Sequence, residues 1–80
     1  MYFSLRYYHL RGVYMTNEVH KFRKSIKLTQ EELAKKVGVT RQTIISIEQG
    51  KYIASLPLAL KIAAVFNVPV EEIFFLGEDD

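Results

Sequence analysis

The chain has 80 residues and no cysteine, so we expect one small domain with neither a disulfide framework nor a thiolate metal site. Residues 16–61 include nine basic and four acidic side chains, whereas residues 62–80 include five acidic and no basic ones. No apolar run approaches the roughly 20 residues that span a bilayer, and we expect a cytoplasmic protein whose basic part faces a polyanion.

Five short helices are predicted from Thr16 onward, with no strand among them. The first helix covers about Asn17–Ser25 and has Thr16 as its cap. One buried face is predicted from the spacing of Val19, Phe22 and Ile26. The other faces of this helix carry the basic residues Lys21, Arg23, Lys24 and Lys27.

The second predicted helix has the clearest start in the chain. Thr29 and Glu32 have the spacing of a capping box, and Leu28 and Leu33 have that of a hydrophobic staple. Gly38 ends the helix, because a left-handed backbone is needed there. The residues expected to face inward are Leu33, Ala34 and Val37.

The third predicted helix follows Gly38 after a short turn. Thr40 is the expected cap, and Val39 and Ile44 repeat the staple spacing. The helix extends to about Gln49, and Gly50 stops it. The second and third helices therefore form an αα-hairpin with a glycine turn.

The fourth predicted helix begins after Ser55, has Pro57 in its first turn and ends at Asn67. Its apolar surface is broad enough to be largely buried, and it comprises Leu56, Ala59, Leu60, Ile62, Ala63 and Phe66. A fifth helix is predicted to begin near Pro69, with two acidic residues in its first turn. Its core candidates are Val70, Ile73 and Phe74.

The stretch LTQEELAKKVGVTRQTIISIEQGK, residues 28–51, closely resembles the Xre-like helix-turn-helix family that includes the phage repressors and Cro. The similarity extends from Asn17 to Phe74. It implies an all-α, five-helix bundle that binds double-stranded DNA through the major groove, usually as a two-fold symmetric dimer on a palindromic operator. The chain departs from the family at Ile53-Ala54, where many relatives have Asn-Pro, and at Ile45, where many have serine.

A helical wheel at 100° per residue divides the third helix into two faces. Thr40, Ile44 and Ile47 lie on the apolar face, which must pack against the domain. The opposite face suits base edges, because arginine pairs with guanine, glutamine with adenine, and isoleucine with a thymine methyl. The predicted base contacts are Arg41, Gln42, Ile45 and Ser46, with Gln49 at the helix end a weaker candidate.

Other residues are expected to contact the DNA backbone. The family resemblance places Gln30 beside a phosphate at the start of the second helix, where the helix N-terminus favours an anion. The further phosphate candidates are Thr43, Lys51 and Lys27. Glu48 is acidic in a basic region, so we expect it to pair or cap near the turn.

The N-terminal extension lies outside the resemblance and has two interpretations. It is either disordered upstream of a true start at Met15, or it forms a strand over Phe3–Tyr8 that pairs with a second subunit. We assign residues 1–15 to this extension, residues 16–77 to the DNA-binding domain and residues 78–80 to an acidic tail. The expected dimer contacts are Phe74, Phe75 and Leu76, apolar residues beside the chain end.

The sequence contains no assembled catalytic group. His9 and His20 are its two histidines, and Glu18 precedes His20 by two residues, which places them on different helix faces. We therefore expect no enzyme activity, cofactor, metal or small-molecule ligand. The predicted function is a homodimeric transcriptional regulator, and the family resemblance implies a repressor. The alternative is a protein-interaction module such as an antitoxin.

Overall fold

The computed structural model describes the backbone of residues 13–78 and the side chains of residues 15–77. Its elements in chain order are β1 (Val13–Asn17), α1 (Val19–Ser25), α2 (Gln30–Val37), α3 (Arg41–Glu48), α4 (Leu56–Phe66), a 3₁₀ turn (Val70–Glu72) and β2 (Phe74–Glu78). The mostly helical prediction is confirmed, but the strictly all-α, five-helix bundle is wrong. Four α-helices and a two-stranded sheet are present in residues 13–78. The predicted strand at Phe3–Tyr8 lies outside the described residues.

The core is formed where the four helices meet the 3₁₀ turn. α2 and α3 contribute Leu33, Ile44 and Ile47, and all three side chains are completely buried. The rings of Phe22 and Phe66 stack at a centroid distance of 5.6 Å, which joins α1 to α4. The other completely buried large side chains are Val19, Ile62 and Ile73. None of the described helices is both long enough and apolar enough to cross a membrane.

The predicted caps of α2, α3 and α4 are confirmed. Thr29 Oγ1 accepts a hydrogen bond from the Glu32 amide at 3.0 Å, and Glu32 Oε1 accepts one from the Thr29 amide at 2.8 Å. Gly38 then ends α2 with φ at 78°. The hydroxyls of Thr40 and Ser55 likewise accept from amides three residues on. Local hydrogen bonding therefore fixes both ends of α2 and the starts of α3 and α4.

The start of α1 differs from the prediction. Thr16 belongs to β1, and the Asn17 side chain accepts the Val19 amide at 3.0 Å through its Oδ1 atom. Ile26 lies beyond the last helical residue and is exposed, so it does not extend the buried face of Val19. The inward position on the last turn of α1 belongs to Arg23, which is only 7% exposed.

The predicted fifth helix is limited to the 3₁₀ turn, and a strand follows it. β2 pairs antiparallel with β1, with Met15 opposite Leu76 and Asn17 opposite Phe74. The Glu18 amide also donates to the Ile73 carbonyl at 2.8 Å. Aromatic residues favour strands and glycine disfavours a helix, so Phe74–Glu78 pairs with β1 when that strand is within reach. Burial of Ile73 and partial burial of Val70 and Phe74 are as predicted.

One side of α4 is less buried than its composition predicts. Leu58, Ile62 and Phe66 face the core, but Leu56 and Leu60 are exposed. Beside Leu60, an open apolar groove of about 450 Å³ runs to the 3₁₀ turn and is lined by Ala63, Ala64, Asn67, Val68, Pro69 and Val70. Composition shows that α4 is apolar, but only the packing shows that its neighbours cover one side of it.

Candidate nucleic-acid interface

The α2–α3 hairpin presents a polar surface that is held from behind by the core. Its turn, residues 38–40, joins the left-handed Gly38 to the Thr40 cap. On α3, Ile44 and Ile47 are fully buried, whereas Arg41 and Gln42 are exposed. The two faces expected from the helical wheel are therefore present within α3, but the assignment of Thr40 to the packed face is wrong, because Thr40 is the exposed cap.

The four predicted base contacts lie together on the outer side of α3. Arg41 and Gln42 are in its first turn, and Ile45 and Ser46 follow one turn later with half-buried side chains. Gln42 Nε2 donates to Ser46 Oγ at 3.5 Å, so this pair is already oriented along one edge of the helix. The surface combines a cation, an amide, a hydroxyl and an apolar side chain, which are groups that can contact base edges in a major groove.

The predicted phosphate contacts are distributed over several elements. Gln30 is the first residue of α2, and Thr43 lies in the first turn of α3. Lys27 is exposed in the α1–α2 connection, where it has a left-handed backbone with φ at 60°. Lys51 is exposed just beyond the end of α3, and its amide donates to the Ser46 carbonyl at 2.9 Å.

A buried ion pair holds the end of α3 against α1. Arg23 donates to Glu48 through Nε–H···Oε2 at 2.7 Å and Nη2–H···Oε1 at 3.1 Å. Arg23 Nη1 also donates to the Leu28 carbonyl at 2.8 Å. The side chains of Arg23 and Glu48 are only 8% and 6% exposed. The expectation that Arg23 belongs to an outward basic face is therefore wrong, because its charge is used to neutralise Glu48.

Two further side chains reach the same carboxylate. Gln30 Nε2 donates to Glu48 Oε1 at 3.2 Å, and His20 Nδ1 lies 3.3 Å from that oxygen. Burial raises the pKa of the Glu48 carboxyl, but hydrogen bonds from Arg23 and Gln30 and the charge of Arg23 outweigh it, so the pKa lies below its ordinary value. Glu48 is thus a carboxylate at neutral pH, and the expected pairing role of this residue is confirmed.

The sequence reasoning did not identify Asn17 as a residue that supports the hairpin. Its Nδ2 atom donates to the Ile47 carbonyl at 2.9 Å, while its Oδ1 atom accepts the Val19 amide. Asn17 therefore joins the end of β1 to both α1 and the last turn of α3. Asparagine just before a helix is a capping signal, but nothing local indicates the contact with a carbonyl 30 residues away.

The three predicted dimer contacts have different environments on β2. Phe74 is half-buried and packs against the core, whereas Phe75 and Leu76 are exposed. Leu76 is the most exposed large apolar side chain of the described residues, at 70%. Phe75 and Leu76 are thus accessible at the sheet, and Phe74 anchors the strand that carries them.

The chain is similar to known helix-turn-helix proteins. The family model of the helix-turn-helix, HTH_3, matches residues 19–73. An HTH-type transcriptional regulator of Archaeoglobus fulgidus is 52% identical over 66 residues, which cover 82% of this chain and 93% of the relative. The HTH-type transcriptional regulator MJ0272 of Methanocaldococcus jannaschii is 54% identical over 66 residues, covering 82% of this chain and all of the relative.

A solved structure extends the similarity to three dimensions. The restriction-modification controller protein C.AhdI of Aeromonas hydrophila superposes with a TM-score of 0.65 at 29% identity, over 69% of this chain and 83% of that one. The matched family model includes the whole α2–α3 hairpin and the caps that define it. The chain belongs to the Xre/Cro-like helix-turn-helix family of DNA-binding transcriptional regulators.

Proposed function

We propose that the protein is a sequence-specific transcriptional repressor that binds a palindromic operator as a homodimer and inserts α3 into the major groove. The observation that carries this proposal is the division of α3 into a fully buried face, with Ile44 and Ile47, and a polar outer face that begins at Arg41. Repression follows from competition with the polymerase for the same DNA. The controller function named for the structural relative from Aeromonas hydrophila supports a regulatory role.

Base reading is assigned to the outer face of α3. Arg41 donates two hydrogen bonds to a guanine, and Gln42 pairs with an adenine in the same half-site. Ile45 contacts a thymine methyl, and Ser46 supports Gln42 along the helix edge. Selection of bound duplexes from random DNA tests this assignment, because it should recover a guanine and an adenine at fixed positions in each half-site.

Phosphate contacts position α3 on the duplex. Gln30 and Thr43 bind backbone oxygens near the starts of α2 and α3, and the exposed Lys27 and Lys51 supply positive charge. Contacts from lysine and arginine release condensed counterions, so log affinity should fall with log salt by about 0.9 per phosphate neutralised. Affinity for the selected duplex is measured from about 50 to 200 mM salt. A flat profile contradicts the assignment.

Dimerisation is assigned to the exposed residues of β2. Phe75 and Leu76 pack against their copies in a second subunit, and Phe74 holds the strand on the core. A two-fold dimer places two copies of α3 about one helical turn of DNA apart, which requires two half-sites at that spacing.

The dimer contact is tested by paired substitutions on two exposed apolar surfaces. Phe75→Asp and Leu76→Asp should convert the dimer to a monomer in light-scattering measurements and weaken binding to the full palindrome. Leu60→Asp, on the exposed side of α4, is the matched comparison and should leave the mass unchanged. The reverse result assigns the contact to α4, and a monomeric unmodified protein that protects a single half-site contradicts the homodimer.

A further inference from the structure

His20 Nδ1 lies between a hydrogen-bond donor and a hydrogen-bond acceptor. It is 3.1 Å from Arg23 Nη2 and 3.3 Å from Glu48 Oε1. A single ring nitrogen accepts when it carries no proton and donates when it carries one, so the two contacts cannot both be formed by the same form of Nδ1. The His20 side chain is 65% exposed, so its ring is accessible to solvent.

With a neutral imidazole in the Nε2–H tautomer, whose Nδ1 atom is free to accept, every group in this cluster has a compatible partner. Arg23 Nη2 carries two hydrogens and donates one to Glu48 Oε1 and the other to His20 Nδ1. The two lone pairs of Oε1 are then filled by Arg23 and by the amide of Gln30 at 3.2 Å. The neutral ring therefore stabilises an arrangement in which the Gln30 amide is bound within the protein.

A protonated imidazole changes this arrangement. Nδ1–H no longer accepts from Arg23 and faces the guanidinium charge, so its acceptor within reach is Glu48 Oε1. The charged groups that contact the ring are Arg23 from α1 and Glu48 from α3, while α2 contributes the uncharged Gln30 to the same carboxylate. Lys24 lies four residues after His20 on α1. Glu48 stays ionised because its pKa is lowered. Three donors then compete for two lone pairs, and the uncharged amide of Gln30 is the weakest of them.

We propose that His20 is a proton-responsive positioning residue, whose protonation moves its hydrogen bond from Arg23 to Glu48 and releases the Gln30 amide for a DNA phosphate. This inference rests on the proposed function, because it requires Gln30 to contact the DNA backbone. Histidine is the side chain that ordinarily changes charge between about pH 5 and 8. DNA binding should therefore take up a proton, and affinity should rise as the pH falls.

The experiment measures affinity for the selected operator duplex at pH 8.0 and 5.5, at constant ionic strength, with thermal melting at both values to confirm folding. One additional hydrogen bond corresponds to about fivefold tighter binding by the unmodified protein at the lower pH. His20→Gln should abolish this pH dependence. His9→Gln removes the other histidine of the chain, and this variant should retain the pH dependence. Gln30→Ala should weaken binding at pH 5.5 and also abolish the dependence.

Two measurements separate release of Gln30 from a direct contact between the imidazolium and a phosphate. A direct contact steepens the slope of log affinity against log salt by about 0.9 at pH 5.5, whereas release of an uncharged amide leaves the slope unchanged. In the DNA-free protein, the NMR signals of the Gln30 side-chain amide should follow the titration of His20 and stay constant in His20→Gln. A steeper slope, or Gln30 signals that do not titrate, overturns the proposal.

The result also distinguishes this inference from the proposed function. Strong operator binding that is equal at both pH values overturns the role of His20 and leaves the DNA-binding function intact. Absence of operator binding at both pH values, in a protein that melts cooperatively, contradicts the proposed function and the inference together.

Discussion

The α2–α3 hairpin and the β1–β2 sheet are stabilised in different ways. In the hairpin, caps at Thr29 and Thr40 satisfy amides three residues away, and buried side chains on both helices join the core. In the sheet, two segments from opposite ends of the described chain pair through their backbones, and Leu76 remains 70% exposed. Burial of apolar area therefore supports the hairpin far more than the outer part of the sheet.

The sheet nevertheless supports the hairpin through its inner end. Asn17 donates to the Ile47 carbonyl in the last turn of α3, and the next residue, Glu18, donates its amide to the Ile73 carbonyl. The first bond connects the strand pair to the helix that carries the predicted base contacts, and the second holds the inner ends of the two strands together. Substitutions in the two regions should therefore affect stability and DNA binding in different proportions.

The largest expected effect comes from the ion pair behind the hairpin. Glu48→Gln removes the charge that neutralises Arg23 and leaves a guanidinium that is only 8% exposed, which should cost about 3–5 kcal/mol of unfolding free energy. Chemical denaturation measures this loss. Glu71→Gln removes an exposed carboxylate on the 3₁₀ turn and should change stability by less than about 0.5 kcal/mol.

The same pair predicts the sign of a pH effect. The pKa of Glu48 is lower in the folded protein than in the unfolded chain, where a glutamate carboxyl titrates near about 4.3. Its contribution is therefore fully present above that value and is lost as the pH falls through the lower, folded pKa. Glu48→Gln should lose less stability than the unmodified protein over this acidic range. Equal losses would show that the carboxylate is not stabilised by Arg23.

The next largest effect concerns the buried face of α3. Ile47→Ala removes methylene groups from a completely buried site and should cost about 2–5 kcal/mol, a large part of the stability of so small a domain. DNA binding should then be lost because the protein unfolds. Leu56→Ala on the exposed side of α4 is the control and should hardly change the melting temperature. A similar loss in both variants would contradict the assignment of Ile47 to the core.

The hairpin could be predicted from the sequence because its signals are local. The capping box of α2 needs only Thr29 and Glu32, and the turn to α3 needs only Gly38 and Thr40. The residues of each pair lie within four positions of each other, so these signals depend little on the rest of the fold. The buried and exposed faces of α3 follow from helical periodicity alone. Most of the candidate DNA surface was therefore predictable once this helix was placed.

The sheet and the polar cluster could not be predicted in the same way, because they depend on distant contacts. Phe74–Glu78 is compatible with a short helix until β1 is present to pair with it. Arg23 has the sequence position of an exposed basic residue, and its burial depends on a glutamate 25 residues away. Helical periodicity treats charge as a sign of exposure, so it fails where one buried charge neutralises another.

Substitutions on the outer face of α3 should affect DNA binding rather than stability, unlike substitutions on the buried face. Arg41→Ala and Gln42→Ala delete exposed side chains, so melting temperatures should hardly change, while each lost bidentate contact costs about 1–3 kcal/mol of discrimination between bases. Ile45→Ser should spare the fold and weaken the preference at one thymine. Melting and operator binding are measured together, with a scrambled duplex as the control. Unchanged affinity and selectivity in the Arg41 and Gln42 variants would show that the hairpin stabilises the fold but does not read DNA.

The smallest predicted effect tests whether the inner end of the sheet supports α3. Asn17→Ala removes one bond to the Ile47 carbonyl and one from the Val19 amide, and the loss should be about 1–2 kcal/mol. Asn17→Asp is the matched variant, because its carboxylate still accepts from Val19 but cannot donate to Ile47 at neutral pH. Amide hydrogen exchange should therefore accelerate at the end of α3 in both variants, but at the start of α1 mainly in Asn17→Ala. Equal protection at the end of α3 in all three proteins would show that the sheet and the hairpin are stabilised independently.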